Sequence, residues 1–512
     1  MSVEWRFGSP LPATTAWTLE ALLGDVQARL GSQVVLTDQG RSWTWDELLL
    51  ASGRLARPWQ GTVLPGSRLG IILANGAAHL LAELAAWRLG AIAVPLPGAL
   101  GVQALNAALT RFRVVLTISD GDVAGYPRIS SDDLLALADR AGPVAPWHPA
   151  TRDTPCLLLS TSGSSGRPRG VLLSQGNLAS QQAAYGLWWP EIGPGDRLAS
   201  YLPWYHSFGA LAERLWALVR GAHLTVVPGG GRDHPAFLAT LAQVRPTVLL
   251  SVPRMHRVAI LGAAAHLRGL RWAFNAGAAL ATAEEAWYAT HGIPLYEGWG
   301  LTETSPTATL TRPGSVRVPG VVGEPVAGVA VGVRDDGHLL IAGPGVMLGY
   351  DDDEAATAAC IGHDAQAGRW IDSGDLGAWT AHGLALHGRS DQTIKLANGE
   401  KVALGDIALA LEGEPGIRAA AVVSRDGETL EAVLALLPGH DPGTGAAAVA
   451  TVNQREAVRF RRVARAWLLR DEPSCTNGLL TPSLKVARGA WLEALQHGRV
   501  TPLVVSAVGP TR

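Results

Sequence analysis

The sequence predicts an α/β protein with a large layered N-terminal region and a small α+β C-terminal domain. Three observations predict it. Strand–helix–strand patterns recur over the first three quarters of the chain, the composition changes after Arg389, and 512 residues are too many for one hydrophobic core.

The first pattern starts with the apolar run Arg68 to Ala74. Helical periodicity follows from Gly76 to Leu89, then a second apolar run from Ala91 to Leu96. Short apolar runs on either side of a helix mark a βαβ unit of a buried parallel sheet. The pattern recurs at Leu198 to Leu202, a helix from about Gly209 to Arg220, and His223 to Val227. It appears again as a helix from Pro235 to Val244 before a strand from Thr247 to Val252.

Beyond Arg389, short strands are expected at Ala419 to Ser424 and Leu430 to Leu437, around an Asp426-Gly427 turn. A helix is expected from about Asn453 to Leu469, and the Gly/Ala-rich run Pro438 to Thr451 reads as a mobile loop or linker. The expected domains are residues 1–388 and 389–512.

Composition narrows the function. Net charge is −2, which gives no electrostatic case for nucleic acid. Cys156, Cys360 and Cys475 have no ligand spacing and form no disulfide framework, which fits a reducing compartment. The N-terminus lacks the basic-then-apolar pattern of a secretory signal. The most apolar stretch, Leu69 to Leu96, is broken by Asn75, His79, Glu83 and Arg88, so no transmembrane segment is expected. A cytoplasmic protein is the expectation. The 18 tryptophans find no physical account in the sequence.

The strongest chemical signal is an apolar strand, Leu157-Leu158-Leu159, running into Ser160-Thr161-Ser162-Gly163-Ser164-Ser165-Gly166, then Arg167-Pro168-Arg169-Gly170. Small hydroxyl and glycine residues expose consecutive backbone N–H groups and add hydroxyl donors, which suits phosphate oxygens. No Lys-Ser/Thr pair ends the run, so it is not a P-loop.

The segment resembles the phosphate-binding signature of the adenylate-forming (AMP-binding) superfamily, with Ser165 for a usual threonine and Arg169 for a usual lysine. Arginine keeps the charge and changes the donor geometry. The resemblance implies that Thr161 to Gly166 contact nucleotide phosphates. In Tyr296-Glu297-Gly298-Trp299-Gly300-Leu301-Thr302-Glu303, it implies that Trp299 stacks on adenine, Thr302 meets the α-phosphate and Glu303 holds Mg²⁺. Glu297, Gly298 and Gly300 join the nucleotide site with them. Gly277, Ala278 and Ala279 match the small-residue loop against which adenine lies.

Other segments extend the resemblance over nearly the whole chain. Ser373-Gly374-Asp375 would place the Asp375 carboxylate on the ribose hydroxyls. Gly388-Arg389-Ser390-Asp391 adds Arg389 as a nucleotide contact and Asp391 as an inter-domain hinge. Leu480-Thr481-Pro482-Ser483-Leu484-Lys485 resembles long-chain acyl-CoA synthetases, and Lys485 falls on the catalytic lysine. Its ammonium would offset repulsion between the attacking carboxylate and the α-phosphate. Leu202-Pro203-Trp204-Tyr205-His206 matches acyl- and aryl-activating relatives, with His206 near the acid's carboxylate. No carboxylate occurs from Leu202 to Ala212 to pair an α-ammonium.

His338 and the segment Leu404-Gly405-Asp406-Ile407-Ala408 depart from the family pattern. Arg455, Arg459 and Arg462, on one face of the expected helix, could receive CoA phosphates or an acidic carrier protein, or form a solvated face.

The implied protein is an ATP- and Mg²⁺-dependent enzyme with a mobile C-terminal lid. It activates a small-molecule carboxylic acid, foremost a fatty acid, as an acyl-adenylate and passes it to a thiol, foremost CoA. Alternatives are an acyl-AMP or acyl-carrier-protein ligase, another adenylate-forming ligase, and a nucleotide-binding pseudoenzyme.

Overall fold

The structure, a computed structural model, describes residues 2–123, 125–162, 168–278, 280, 282–312, 314–315, 317–318, 320–397, 400–474, 477–480 and 486–504. It divides into two compact units. One comprises 1–373 and 378–385; the other comprises 374–377 and 386–512.

In the first unit the strands Arg68–Ile72 and Ile92–Pro95 pair in parallel, joined by the helix Ala77–Arg88. Every residue of that helix is buried, as its nearly all-apolar sequence requires. These strands lie in a seven-stranded sheet. Its order is Gly349–Tyr350, Pro168–Ser174, Pro155–Ser162, Ile92–Pro95, Arg68–Ile72, Val114–Ser119, Arg128–Ile129. Pro155–Ser162 and Pro168–Ser174 form an antiparallel hairpin, with Thr161 opposite Arg169.

The other expected patterns occupy two further sheets. Arg197–Ser200 and His223–Val226 pair in parallel, as do Val248–Ser251, Trp272–Asn275 and Leu295–Trp299 in turn. The expected helix from Gly209 is a π-helix, Phe208–Leu215, continued by the α-helix Trp216–Arg220. Seven tryptophans are fully buried: Trp43, Trp45, Trp87, Trp189, Trp204, Trp216 and Trp491. Trp189 stacks on Trp272 at 4.8 Å between ring centroids and meets Trp216 edge-on at 5.5 Å. These tryptophans serve the core.

The second unit contains an antiparallel and parallel sheet of Ile417–Val423, Leu430–Leu436, Val463–Leu469 and Val500–Leu503. The helices Leu404–Glu412, Pro442–Arg455 and Arg488–Gln496 belong to this unit. Two expectations are overturned here. Pro438 to Thr451 is no linker: most of it is helix, which starts at an Asp441 N-cap accepting from the Thr444 amide and buries Ala448, Val449 and Val452. The expected helix Asn453 to Leu469 is instead a helix end, a 3₁₀ turn at Arg459–Arg461 and a strand. Parallel pairing of Val463–Leu469 with Leu430–Leu436 supplies the hydrogen bonds that a helix would have made internally.

Among the described residues, no helix is long and apolar enough to cross a membrane.

Candidate functional site

Leu295–Trp299 leads through Gly300 into a 3₁₀ turn, Thr302–Thr304. A Cβ on Gly300 would lie 1.9 Å from the Pro306 carbonyl oxygen, so the turn closes only around glycine. Thr304 Oγ1 accepts from the Leu301 amide at 3.0 Å and locks the turn from inside. Thr302 and Glu303 are left half-buried.

Glu303 is held from a distant segment. Tyr350 Oη donates to Glu303 Oε1 at 2.9 Å. Burial, and then the Glu303 carboxylate, push the Tyr350 phenol far above the ordinary tyrosine range, so its proton stays in that bond. The two-residue strand Gly349–Tyr350 pairs with Val171 and Leu172, which brings Tyr350 beside Arg169. The Arg169 guanidinium sits 5.3 Å from the Tyr350 ring centroid and 3.8 Å from Asp353. Arg169 thus keeps its cation near the Glu303 cluster.

Thr161 and the Ser162 backbone end the strand opposite Arg169 and Pro168. Gly163, Ser164, Ser165 and Gly166 lie outside the described residues, as do Ala279 and Lys485.

His206 and Ser207 approach the same turn. Ser207 Oγ and Thr302 Oγ1 are 3.1 Å apart. The His206 amide donates to the Pro203 carbonyl, and a Cβ on Gly209 would lie 2.3 Å from that same oxygen. The bend is therefore tight, and it leaves the His206 ring half-buried beside Tyr205.

At the expected adenine side, Asn275 stands opposite Glu297 across parallel strands. Asn275 Nδ2 donates to Glu297 Oε1 at 3.0 Å and to the Ala278 carbonyl at 2.9 Å, which fixes the Gly277-Ala278 loop. Gly277 has φ +87°, and a Cβ there would meet only Val252 Cγ1 at 3.8 Å, so a ligand can approach its backbone. Glu297 is buried and forms an ion pair with Arg317 at 2.9 Å. Burial raises its carboxyl pKa, while Arg317 pulls it back. Its carboxylate orients the loop. Gly298 is required for packing, since a Cβ would lie 2.7 Å from Phe274 and from Leu310. Trp299 is 8% exposed, so little of its ring faces solvent.

Asp375 and Arg389 fall in the second unit and meet each other: Arg389 Nη1 to Asp375 Oδ1 is 3.3 Å, and Arg389 Nε to Asp391 Oδ1 is 3.3 Å. Ser390 Oγ donates to the Gly374 carbonyl at 2.9 Å, which ties the two short runs together.

Of the arginines expected on one helical face, Arg455 ends a helix, Arg459 opens the 3₁₀ turn Arg459–Arg461 and Arg462 follows that turn. Arg455 is paired with Glu414, and the neighbouring Arg461 and Arg465 are paired with Glu456 and Asp426. Arg462 donates to the Glu456 carbonyl.

Among the described residues, no three His, Cys, Asp or Glu side chains converge as a metal cage. Glu303 fits Mg²⁺ in another way, because this hard cation is commonly held by one or two carboxylates, water and substrate phosphates. Tyr350, Ser207 and Asn275 carry roles that motif reading did not assign.

Residues 25–351 match the family described as AMP-binding enzyme. Phosphinothricin tripeptide synthetase PhsC of Streptomyces viridochromogenes is 31% identical over 497 residues, covering 90% of this chain and 44% of that protein. The chain thus spans less than half of that relative. Feruloyl-CoA synthase of an Amycolatopsis species is 28% identical over 424 residues, covering 77% of this chain and 84% of that enzyme. The structure of O-succinylbenzoate coenzyme A synthetase from Bacillus subtilis, in complex with AMP, aligns with a TM-score of 0.78 at 21% identity. It covers 91% of this chain and 97% of that one, a likeness of fold.

Proposed function

The chain belongs to the AMP-binding enzyme family, and from that premise we propose that it is an ATP-dependent carboxylic acid–CoA ligase. In the first step a carboxylate oxygen attacks the α-phosphorus of ATP, pyrophosphate leaves, and an acyl-adenylate forms. In the second, the CoA thiolate attacks the acyl carbonyl and AMP leaves with the bonding electron pair.

The observation that carries this reading is the 3.1 Å contact between Ser207 and Thr302. It brings the histidine loop and the Thr302-Glu303 turn into one place, where hydroxyl donors face the position at which phosphate charge builds up. In this reading Thr302 donates to the α-phosphate and His206 orients the incoming carboxylate. The loop from Thr161 to Gly166 cradles the other phosphates. Glu303 would hold Mg²⁺, which would supply charge neutralisation for the leaving pyrophosphate. Ala278, fixed by Asn275, offers backbone to adenine.

We assign residues 1–388 to adenylation and 389–512 to a lid. The lid carries Lys485, the hinge at Asp391 and the nucleotide contact Arg389, while Asp375 supplies the ribose contact. The absence of a carboxylate between Leu202 and Ala212 supports an acid without an α-ammonium. Phe208, packed edge-on to Phe274 at 5.6 Å, supports an apolar one, with a fatty acid as the first candidate. The free thiols of Cys156 and Cys360 support a cytoplasmic setting.

The test is pyrophosphate release across straight-chain acids of increasing length and aryl acids, with CoA, with a carrier-protein thiol and with neither. For a fatty acid enzyme kcat/KM climbs by up to about fourfold per methylene, from roughly 0.8 kcal/mol each, until the pocket fills. A peak at an aryl acid or at acetate overturns the fatty acid assignment. Release independent of any acid overturns the adenylation itself.

A further inference from the structure

The loop bearing His206 and Ser207 is held from below by polar residues that no nucleotide motif contains. Asn75, His79 and Glu83, which interrupt the apolar run Leu69 to Leu96, follow one another at four-residue intervals. Asn75 lies just before the helix Ala77–Arg88, and the other two share one face of it.

Asn75 grips the loop backbone twice. Its Nδ2 donates to the Leu202 carbonyl at 2.8 Å, and its Oδ1 accepts from the Trp204 amide at 3.0 Å. The fully buried Trp204 side chain continues the grip. Its Nε1 donates to Ser200 Oγ at 3.1 Å, its ring packs perpendicular to that of His79 at 5.6 Å between centroids, and the Arg214 guanidinium lies 4.9 Å from its centroid.

Arg214 forms an ion pair with Glu83, and the two side chains are 0% and 1% exposed. The neighbouring Glu213 accepts from Ser200 Oγ at 2.6 Å. Both residues sit in the π-helix Phe208–Leu215, which begins one residue after Ser207. π-helical turns recur at functional sites, and a buried ion pair is often no more stabilising than packed apolar residues of similar volume.

We infer that Asn75, Glu83 and Arg214 are positioning residues: they set the backbone from Leu202 to Ser207 so that His206 and Ser207 meet the reacting groups. This rests on the acyl-adenylate reading of the site. Without the clamp the loop still packs through Trp204, but its tip loses its fixed relation to Thr302.

The experiment uses the full chain. Arg214→Met alone leaves Glu83 buried without its partner and is strongly destabilising, so the informative variant is Glu83→Leu/Arg214→Met, which removes both charges at similar volume. Asn75→Ala is the second variant. Acid-dependent ATP–pyrophosphate exchange is measured with thermal melting on each.

The double variant and Asn75→Ala are expected to melt cooperatively. Their kcat falls by about tenfold or more, while KM for ATP stays within about twofold, the pattern of an interaction expressed in the transition state. A folded double variant with wild-type kcat shows that the pair serves only the core and overturns its role. If the double variant does not fold, Asn75→Ala decides: a folded protein with unchanged kcat overturns the inference. Absence of acid-dependent exchange in the wild type overturns the reading of the site, and this inference with it.

Discussion

Tyr350 and Glu303, 47 residues apart in sequence, are joined by a 2.9 Å hydrogen bond from phenol to carboxylate. The bond turns the proposed metal carboxylate in one direction and leaves it half-exposed. Tyr350→Phe removes the donor and keeps the ring under Arg169. Affinity for Mg²⁺, read as the metal dependence of pyrophosphate exchange and as direct Mn²⁺ binding by electron paramagnetic resonance, should weaken about tenfold. Unchanged Mn²⁺ affinity would show that the bond serves packing alone.

Gly300 offers a steric test of the same turn. With a Cβ 1.9 Å from the Pro306 oxygen, Gly300→Ala must displace the Thr302–Thr304 turn. Exchange activity should fall by about two orders of magnitude with a modest loss of stability of about 1–3 kcal/mol. Activity near wild type would mean that the turn yields without consequence.

Two buried histidines contribute to the loss of stability in acid. Burial, followed by the nearby Arg214 charge, lowers the His79 pKa to about 3, and burial lowers that of His256 to about 3. Both values lie below the unfolded value of 6.5, so each histidine contributes stability that is full above pH 6.5 and is lost as pH falls toward 3. In that window the unfolded chain binds the protons. Each histidine therefore steepens the decline by up to about 1.4 kcal/mol per pH unit. His256→Phe also removes the 2.7 Å partner of the Tyr288 hydroxyl, which lowers the whole curve. Its acid limb should nevertheless be shallower by about one proton in urea titrations between pH 4.5 and 7. An unaltered slope would place the proton uptake elsewhere.

In the proposed reaction Lys485 serves one half-reaction and not the other. Lys485→Ala should depress adenylation by about 10²-fold or more while thioester formation from supplied acyl-AMP survives, as expected of a group that stabilises charge in one transition state only. Equal loss in both half-reactions would contradict a lysine used in one step.

The parallel strands were legible because each is a local pattern, and the proposed nucleotide motifs are local patterns too. Arg68–Ile72 and Ile92–Pro95 are short apolar runs around an apolar helix, and the Thr302-Glu303 segment is continuous in sequence. The C-terminal unit was less legible. The glycines of Pro438 to Thr451 suggested a linker, but the Asp441 cap and the burial of Val449 and Val452 make it a helix. Val463–Leu469 is a strand because a parallel partner exists, which local periodicity does not reveal. Arg455, Arg461 and Arg465 there are paired with Glu414, Glu456 and Asp426, and Glu414 and Asp426 lie in bends distant in sequence from their partners. Long-range bonds were invisible for the same reason. Nothing near Asn75 announces Leu202 and Trp204, and nothing near Tyr350 announces Glu303.

The two-residue strand Gly349–Tyr350 closes the outer edge of the seven-stranded sheet, and Asp351 pins it there through its amide on the Gly170 carbonyl and its carboxylate on Arg68. Side chains alternate along a strand, so gaining or losing one residue here would turn Tyr350 to the opposite side of the sheet. Edge closure and the aim of the Glu303 carboxylate therefore cannot drift independently. Insertions and deletions that surface loops elsewhere absorb are forbidden in this stretch, and its length should stay invariant however far the surrounding sequence diverges.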